Sequence, residues 1–303
     1  MSEGAVPAPV LVIGDVMTDV IVRPEGPLRR GSDQTAAVRS RPGGSGANQA
    51  VWLAALGGDV RFVARVGAAD KPGLVTYFRG FGVKPLLSAD MEHPSGVLVT
   101  IVDADGERSF LTDRGANLKL CAADLPDMLL DGIGLVVVSG YSFFAEGPRL
   151  AVRALLERAR SRGLPVAVDP ASVGFLQDVG VDNFLAWTSG AALLFANEDE
   201  AAVLSGYGDV DSQMVRLGTV YERVVIKRGA MGAAIGSLEG VRLSLPAPQV
   251  PVLDSTGAGD AFAAGFILAH LGGETEHACL AAGIAAGAEA VKVIGGQPAP
   301  GRK

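Results

Sequence analysis

The stretch "DSTGAGDAFAAGFILAHLGG", Asp254 to Gly273, decides how the rest of the chain is read. From Ala261 to Leu271 it has the composition of a buried helix. Just ahead lie glycines at 257 and 259, two hydroxyls and two carboxylates. Glycines let a backbone approach a ligand with no Cβ in the way. The first amides of a helix have no acceptor within it, and the helix dipole adds roughly half a positive charge at that end. Such a start is suited to phosphate oxygens. Here Gly257, Ala258 and Gly259 would supply the amides. Asp260, in the first turn, would accept a proton from an incoming hydroxyl. That is the layout of a phosphoryl-transfer site. The same residues also describe a helix merely capped by Asp254 or Thr256, so the surrounding sequence must separate the two readings.

Working outward, "PVLVIGDV" (Pro9 to Val16) is an apolar run that closes on glycine and aspartate, as for a buried strand with a functional loop at its end. "GANQAVWLAALGG" predicts a helix with a stripe of Ala47, Ala50, Val51, Ala54 and Ala55, ended by Gly57-Gly58. "VRFVARVG", "IGLVVVSG", "LPVAVDP", "ALLFAN" and "RVVIKRG" predict further strands. "GPRLAVRALLERARSRG", "EDEAAVLSG" and a last segment at about 276–293 predict helices. Strand–helix alternation of this kind means a mostly parallel sheet covered on both faces. Ligands bind such sheets beyond the carboxyl ends of the strands, where Asp15, Ser139, Asp169 and Asn197 fall. "SGVLVTIVDADGERSFLTDRGAN" (Ser95 to Asn117) breaks the pattern as an antiparallel hairpin turning at Asp105-Gly106. The polar stretch from Arg23 to Arg39 could add strands beside it.

Composition narrows the function. A formal charge of −7 argues against nucleic acid or an anionic membrane as partner. Of the residues, 49% are apolar and 19% charged, which allows a sizeable core. Cys121 and Cys279 suggest no disulfide framework and read as two buried small hydrophobes. The opening "MSEGAVPAPVLVIGDV" is not a signal peptide, and the apolar run from Ala261 to Leu271 is too short to span a bilayer, so a cytoplasmic enzyme is expected. "GPLRRGSD" lacks the Lys-Ser/Thr of a P-loop. "GAGDAF" has Phe262 where a dinucleotide fingerprint needs its third glycine. No histidine spacing suits a metal, and no nucleophile elbow is present.

"DSTGAGDAFAAGF" resembles the C-terminal signature of the PfkB/ribokinase family of sugar and nucleoside kinases. "GGSGANQAVWLAALGGDVRFVARVG" (Gly43 to Gly67) resembles its N-terminal one. "NEDE" is similar to the family's N-x-x-E and "KRGAMG" to its nucleotide-binding turn, so the likeness covers essentially the whole chain. It implies a ribokinase-like three-layer α/β/α fold with a mostly parallel central sheet and a small antiparallel β lid. Residues 1–303 would form a single kinase domain, with the lid at about 17–40 and 93–115.

On that resemblance Asp260 is the base, and the amides of Gly257, Ala258 and Gly259 form the anion hole. Asn197 and Glu200 organise Mg²⁺, through water, and the ATP phosphates. Lys227, Gly229 and Thr256 line the nucleotide site, and Asp169 lies near the phosphates. Asp19 grips sugar hydroxyls; Gly43, Gly44 and Asn48 hold the acceptor; Asp15 is a further candidate there. Taken alone, Glu200 reads as a solvated helix residue, and Asp15 reads equally as a strand-end turn residue.

Ribokinases proper tend to carry Lys and Asn where this chain has Ser45 and Met17, which argues against ribose. Tyr141 could stack on a sugar or a base, or simply pack in its loop. Arg108 and Arg114 could meet a substrate carboxylate or phosphate, or be exposed strand charges. "GGQPA" (Gly295 to Ala299) is similar to a monovalent-cation loop but lacks its hydroxyl, so K⁺ held near Asp254 and Gly295 stays open. The expectation is an ATP-dependent kinase acting on a hydroxymethyl of a small sugar or sugar acid, as a homodimer paired through the lid. The alternatives are a nucleoside kinase and a non-catalytic sugar-binding relative.

Overall fold

The computed structural model describes residues 8–28, 30–103, 105 and 107–299. In chain order its elements are β1 (Val10–Ile13), β2 (Met17–Pro24), β3 (Ala36–Gly43), α1 (Ser45–Ala55), β4 (Val60–Gly67), α2 (Lys71–Gly80) and β5 (Lys84–Asp90). Next come β6 (Gly96–Val102), β7 (Arg108–Asp113), β8 (Leu135–Ser139), α3 (Glu146–Ser161), β9 (Val166–Asp169), α4 (Val173–Val179) and α5 (Val181–Thr188). The chain continues through β10 (Leu193–Asn197), α6 (Glu198–Ser205), α7 (Val210–Gly218), β11 (Arg223–Lys227), β12 (Ala233–Ser237) and β13 (Gly240–Leu245). It closes with α8 (Ala258–Leu271) and α9 (Glu276–Ala290).

The large sheet runs β13-β12-β11-β10-β9-β8-β1-β4-β5. It is parallel from β11 to β5, and antiparallel only where β12 and β13 extend it. The four residues of β1 show why both faces must be covered. Val10 and Val12 sink into the core under α1, α2, α8 and α9, while Leu11 and Ile13 sink into the one under α3 to α7. Alternate residues of a strand face opposite ways, and all four are buried. Each such side chain contributes roughly 1.5–3 kcal/mol of burial. From β1 the chain first builds toward β4 and β5, then returns to β8 on the other side. β1 is therefore the switch point where a crevice opens beyond the carboxyl ends of the strands.

A second sheet, β3-β2-β6-β7, stands at that end. Two antiparallel hairpins make it up, but β2 and β6 run parallel where they meet. The small sheet is thus mixed rather than wholly antiparallel, because a long excursion through β4 and β5 separates its halves. Its strands fall within residues 17–43 and 96–113. Gly106 of the expected turn lies outside the described residues. One composition-based expectation is corrected: Cys279 is buried, but Cys121 is exposed. Cys121 precedes a single turn at Ala122–Asp124, where its own amide donates to the Asp124 carboxylate.

Candidate active site

The start of α8 is held in an unusual shape by its neighbour. Gly257 is the N-cap residue, with φ +73°, and no side chain caps the helix. The reading of Asp254 and Thr256 as mere caps therefore does not describe this helix. A Cβ at Gly257 would collide with the carbonyl of Gly296, so glycine is required both by the left-handed backbone and by the close approach. The Ala258 amide donates weakly to Ser255 O at 3.3 Å. Among the described residues, the amides of Gly257, Gly259 and Asp260 find no backbone acceptor. They are the donors left for an anion.

Asp260 is tied to the other end of the sequence. Ser45 Oγ donates to its Oδ1 at 2.9 Å, and Asn48 Nδ2 to its Oδ2 at 3.0 Å. Both donors sit in the first turns of α1. Gln49 Nε2 reaches Ser45 Oγ at 3.4 Å, and Gln297 Nε2 donates to Asn48 Oδ1 at 3.0 Å. Burial, reinforced by the charge of Asp169, pushes the Asp260 carboxyl up to about 7, against the opposing pull of Asn48, Ser45 and Lys227. A carboxyl in that range can take a proton near neutrality and give it up again.

On one side of the start of α8 lies a cavity of about 690 Å³, lined by Asn197, Lys227, Gly229, Ala258 and Gly259 and by apolar side chains including Phe262 and Ile284. Strand register brings the polar residues there: Asn197 pairs with Lys227, and Ser139 pairs with Asp169. Lys227 Nζ donates to Asp169 Oδ2 at 2.8 Å. Burial disfavours the ammonium charge, but Asp169, Glu200 and Asp260 outweigh it and raise the Lys227 pKa. Glu200 is not a solvated helix residue, being 4% exposed. It forms a capping box with Asn197: each side chain accepts the other's backbone N–H, at 2.9 and 2.8 Å. Burial, with repulsion from Asp169, pushes the Glu200 carboxyl up to about 7.

On the other side a smaller cavity of about 230 Å³ opens under the small sheet, with Asp19 at its base. The Asp19 carboxylate packs over Gly43 so closely that any Cβ at 43 would displace it. Its Oδ1 is buried with no hydrogen-bond partner. Burial, with the charges of Asp15 and Asp254, pushes this carboxyl up to about 6. A buried acceptor without a donor is what a ligand hydroxyl would satisfy.

Other expected residues take positions of their own. Asp15 is engaged twice, accepting the Gly46 amide at 3.1 Å and Arg114 Nη2 at 3.3 Å. Arg114 is no exposed strand charge; its guanidinium lies 4.2 Å from the centre of the Tyr141 ring. That leaves Tyr141 with one face covered and its edges against Phe144 and Phe175. Arg108 begins β7 opposite Val102, and its side chain lies outside the described residues. Gly44, with φ +96°, caps α1. Thr256 lines the cavity under the small sheet rather than the one beside Lys227, and donates to Asp254 Oδ1 at 2.7 Å. Gly295 donates its N–H to Asp254 Oδ2 at 3.0 Å.

Sequence reasoning passed over Ser45 as a Lys replacement, and missed Gln49, Gln297, Arg23, Arg39 and Arg41. The Ser45–Gln49 spacing of four along α1 was a usable sign. The alternation Arg39-x-Arg41 along a strand was another.

This geometry has counterparts. A family model described as pfkB family carbohydrate kinase matches residues 8–301. The chain is 31% identical over 304 residues to the bifunctional protein HldE of Pseudomonas fluorescens (strain Pf0-1), covering 92% of this chain and 59% of that protein. It therefore spans well under two thirds of HldE's length. It is 31% identical over 279 residues to a fructokinase of Klebsiella pneumoniae, covering 85% of this chain and 83% of that one. The structure of Arabidopsis thaliana ribokinase complexed with ribose and ATP superposes with a TM-score of 0.81 at 25% identity, over 95% of this chain and 94% of that one. The match over nearly every residue, on this fold, places the chain in the pfkB family of carbohydrate kinases.

Proposed function

We propose that the protein transfers the γ-phosphoryl group of ATP to a hydroxymethyl of a small sugar or sugar acid. The carrying observation is the position of Asp260. Its carboxylate is held by the acceptor-motif residues Ser45 and Asn48, beside free helix-start amides; Gly259 lines the larger cavity, and Thr256 and Gly296 the smaller one. The nucleotide occupies the 690 Å³ cavity, and the acceptor sits on Asp19, Gly43, Gly44 and Asn48. Asp260 takes the hydroxyl proton as the new oxygen–phosphorus bond forms and the bond to the departing ADP oxygen breaks. The amides of Gly257 and Gly259 stabilise the charge on the moving phosphoryl group.

The site suits Mg²⁺. One ammonium, on Lys227, faces three carboxylates, on Asp169, Glu200 and Asp260, so a further cation relieves their repulsion. Glu200 and Asn197 would hold it through water, and when bound it neutralises charge on the phosphates. Asp254 fits a monovalent ion less well. Its two oxygens already accept Thr256 and Gly295 donors, and Gly295 offers an N–H rather than a carbonyl, so no step is assigned to K⁺.

The whole chain acts as one kinase domain, with strands 17–43 and 96–113 as a lid that excludes water from the transfer. The lid's outer face carries Val20, Val22, Val38, Val99, Ile101 and Leu111, with Val38 59% and Leu111 60% exposed. Pairing of two such faces supports a homodimer. A cytoplasmic setting, with its ATP, goes with this reading. A nucleoside acceptor is less favoured, since Arg114 already covers one face of Tyr141.

An ADP-release screen over pentoses, hexoses, sugar acids and nucleosides tests the reading. Saturable turnover of a sugar that is lost in Asp260→Asn supports it. Nucleoside turnover alone would replace it with the nucleoside kinase, and binding of a sugar without turnover would leave a sugar-binding relative.

A further inference from the structure

The loop "GGQPA" (Gly295 to Ala299) has no task in the transfer as described, yet α1 and α2 hold it at several points. Trp52 Nε1, from α1, donates to the Gly296 carbonyl at 2.9 Å. A Cβ at 296 would run into the side-chain amide of Asn48, so the loop packs directly on that residue. Gln297 comes next and is buried. Its Nε2 donates to Asn48 Oδ1 at 3.0 Å, and its Oε1 accepts the hydroxyl of Tyr77, from α2, at 2.5 Å. Asn48 Nδ2 in turn donates to Asp260 Oδ2 at 3.0 Å. An unbroken line of three hydrogen bonds therefore joins Tyr77 to Asp260.

The chemistry of its members fixes the direction of this line. An ionised carboxylate only accepts, whereas a side-chain amide has one donor end and one acceptor end. Asp260 therefore takes the NH₂ end of Asn48, which turns Asn48 Oδ1 toward Gln297. Gln297 must meet it with its own NH₂ end, which turns Oε1 toward Tyr77. The phenol must then donate, and burial raises its pKa, which keeps the proton in place. Every member is satisfied in that sense alone, with each donor pointing toward Asp260. The reverse sense would set the Asn48 carbonyl against the carboxylate. Asn48 and Gln297 are both buried, so a lost partner leaves a polar atom orphaned away from water.

We propose that Gln297 and Tyr77 are positioning residues for the phosphoryl transfer: they hold the amide donor of Asn48 on Asp260, and so keep that carboxylate in the form that takes the hydroxyl proton. The inference rests on the kinase reading above and deepens its mechanism. Neither residue lines either cavity, so both act through Asn48. Asp260 is also faced by Ser45 from α1, Asp169 from β9, Lys227 from β11 and Tyr141 after β8. The Tyr77 ring packs on Phe78 and Phe81, contacts that Tyr77→Phe keeps.

The first test needs no acceptor: carbon-13 NMR titration of the Asp260 carboxyl, assigned by its loss in Asp260→Asn. In Gln297→Met, of similar length but without the amide, the acid ionisation constant of Asp260 should fall roughly 3- to 10-fold, and in Tyr77→Phe roughly twofold. In ADP release with the best sugar of the screen, kcat/KM should fall more at pH 6 than at pH 8, while KM for ATP stays unchanged. Because Tyr77 acts through Gln297, Tyr77→Phe should change nothing further in the Gln297→Met background. Thermal unfolding checks that each variant is folded; should Gln297→Met fail to fold, Tyr77→Phe carries the titration alone. A titration that overlays wild type in folded variants, or effects that simply add in the double variant, overturns the proposal and leaves the kinase reading standing. No ADP release from the wild-type chain with any acceptor overturns the kinase reading and the positioning role with it.

Discussion

The two walls of the cleft are built on opposite plans. On the wall of the larger cavity, Lys227 and Asp169 form an ion pair and Asn197 and Glu200 a capping box, where central strands end. On the lid wall, β3 and β7 lie largely in solvent and β2 and β6 are half-buried. Asp19 holds a buried unpartnered oxygen, and Arg23 and Arg39 have no ion pair among the described residues. The first wall is organised before anything binds, as a surface that must stabilise developing charge needs to be. The second, on the reading proposed above, is completed by its ligand. Asp260 stands between them and belongs to both.

That contrast predicts how substitutions divide. The largest effect belongs to the shared residue: Asp260→Asn should lower turnover by roughly 10²- to 10⁴-fold with the fold intact. Near-wild-type turnover in folded protein would remove Asp260 from the chemistry and with it the link between the walls. Gly257→Ala should come next. It forces a left-handed alanine into the Gly296 carbonyl and should cost about 2–4 kcal/mol of stability. Urea unfolding measures this, and an unchanged midpoint would show that the helix start relaxes at little cost.

A smaller effect is expected from the acceptor-side support of Asp260. Its carboxyl is pushed up to about 7 and must be ionised to accept a proton, so kcat/KM should fall as pH drops below about 7. Ser45 donates to that carboxylate and favours its ionised form. Ser45→Ala should therefore move the acid limb upward and lower kcat/KM several-fold at pH 6, less at pH 8, with Ser45→Thr restoring it. A pH profile that overlays wild type would leave Ser45 as packing only. The smallest effect on chemistry should come from the lid's outer face. Val38→Glu with Leu111→Glu should shift sedimentation from dimer to monomer, and a wild-type chain that already sediments as a monomer would dispose of the lid-paired dimer.

Legibility followed the same division. The strands of the large sheet were readable as apolar runs ending in functional residues, because a strand buried on both faces needs little more than apolar side chains. The glycines at 257 and 259, and Asp260 behind them, were readable because a helix start with bare, outward amides has few sequence solutions. Glu200 could have been recognised as the far half of a capping box, since Asn197 lies three residues earlier. The parallel meeting of β2 and β6 was not readable. Nothing in either hairpin states which neighbour it will find after the excursion through β4 and β5. The setting of Arg114 was not readable for a related reason: its partners, Asp15 and Tyr141, come from loops far away in the chain.

By itself, the sequence determined the alternation of strands and helices, the glycine-framed start of α8 and the place of Asp260 in its first turn. All three depend on contacts between near neighbours, or on apolar periodicity that any partner surface can satisfy. Tertiary structure alone decided that Ser45 and Asn48 hold Asp260, that Lys227 answers to Asp169, and that Arg41, Arg39 and Arg23 rise in line from Asp19. Charges and hydrogen bonds act over a few ångströms of space, whatever their separation along the chain. Their meaning appears only when the fold sets them side by side.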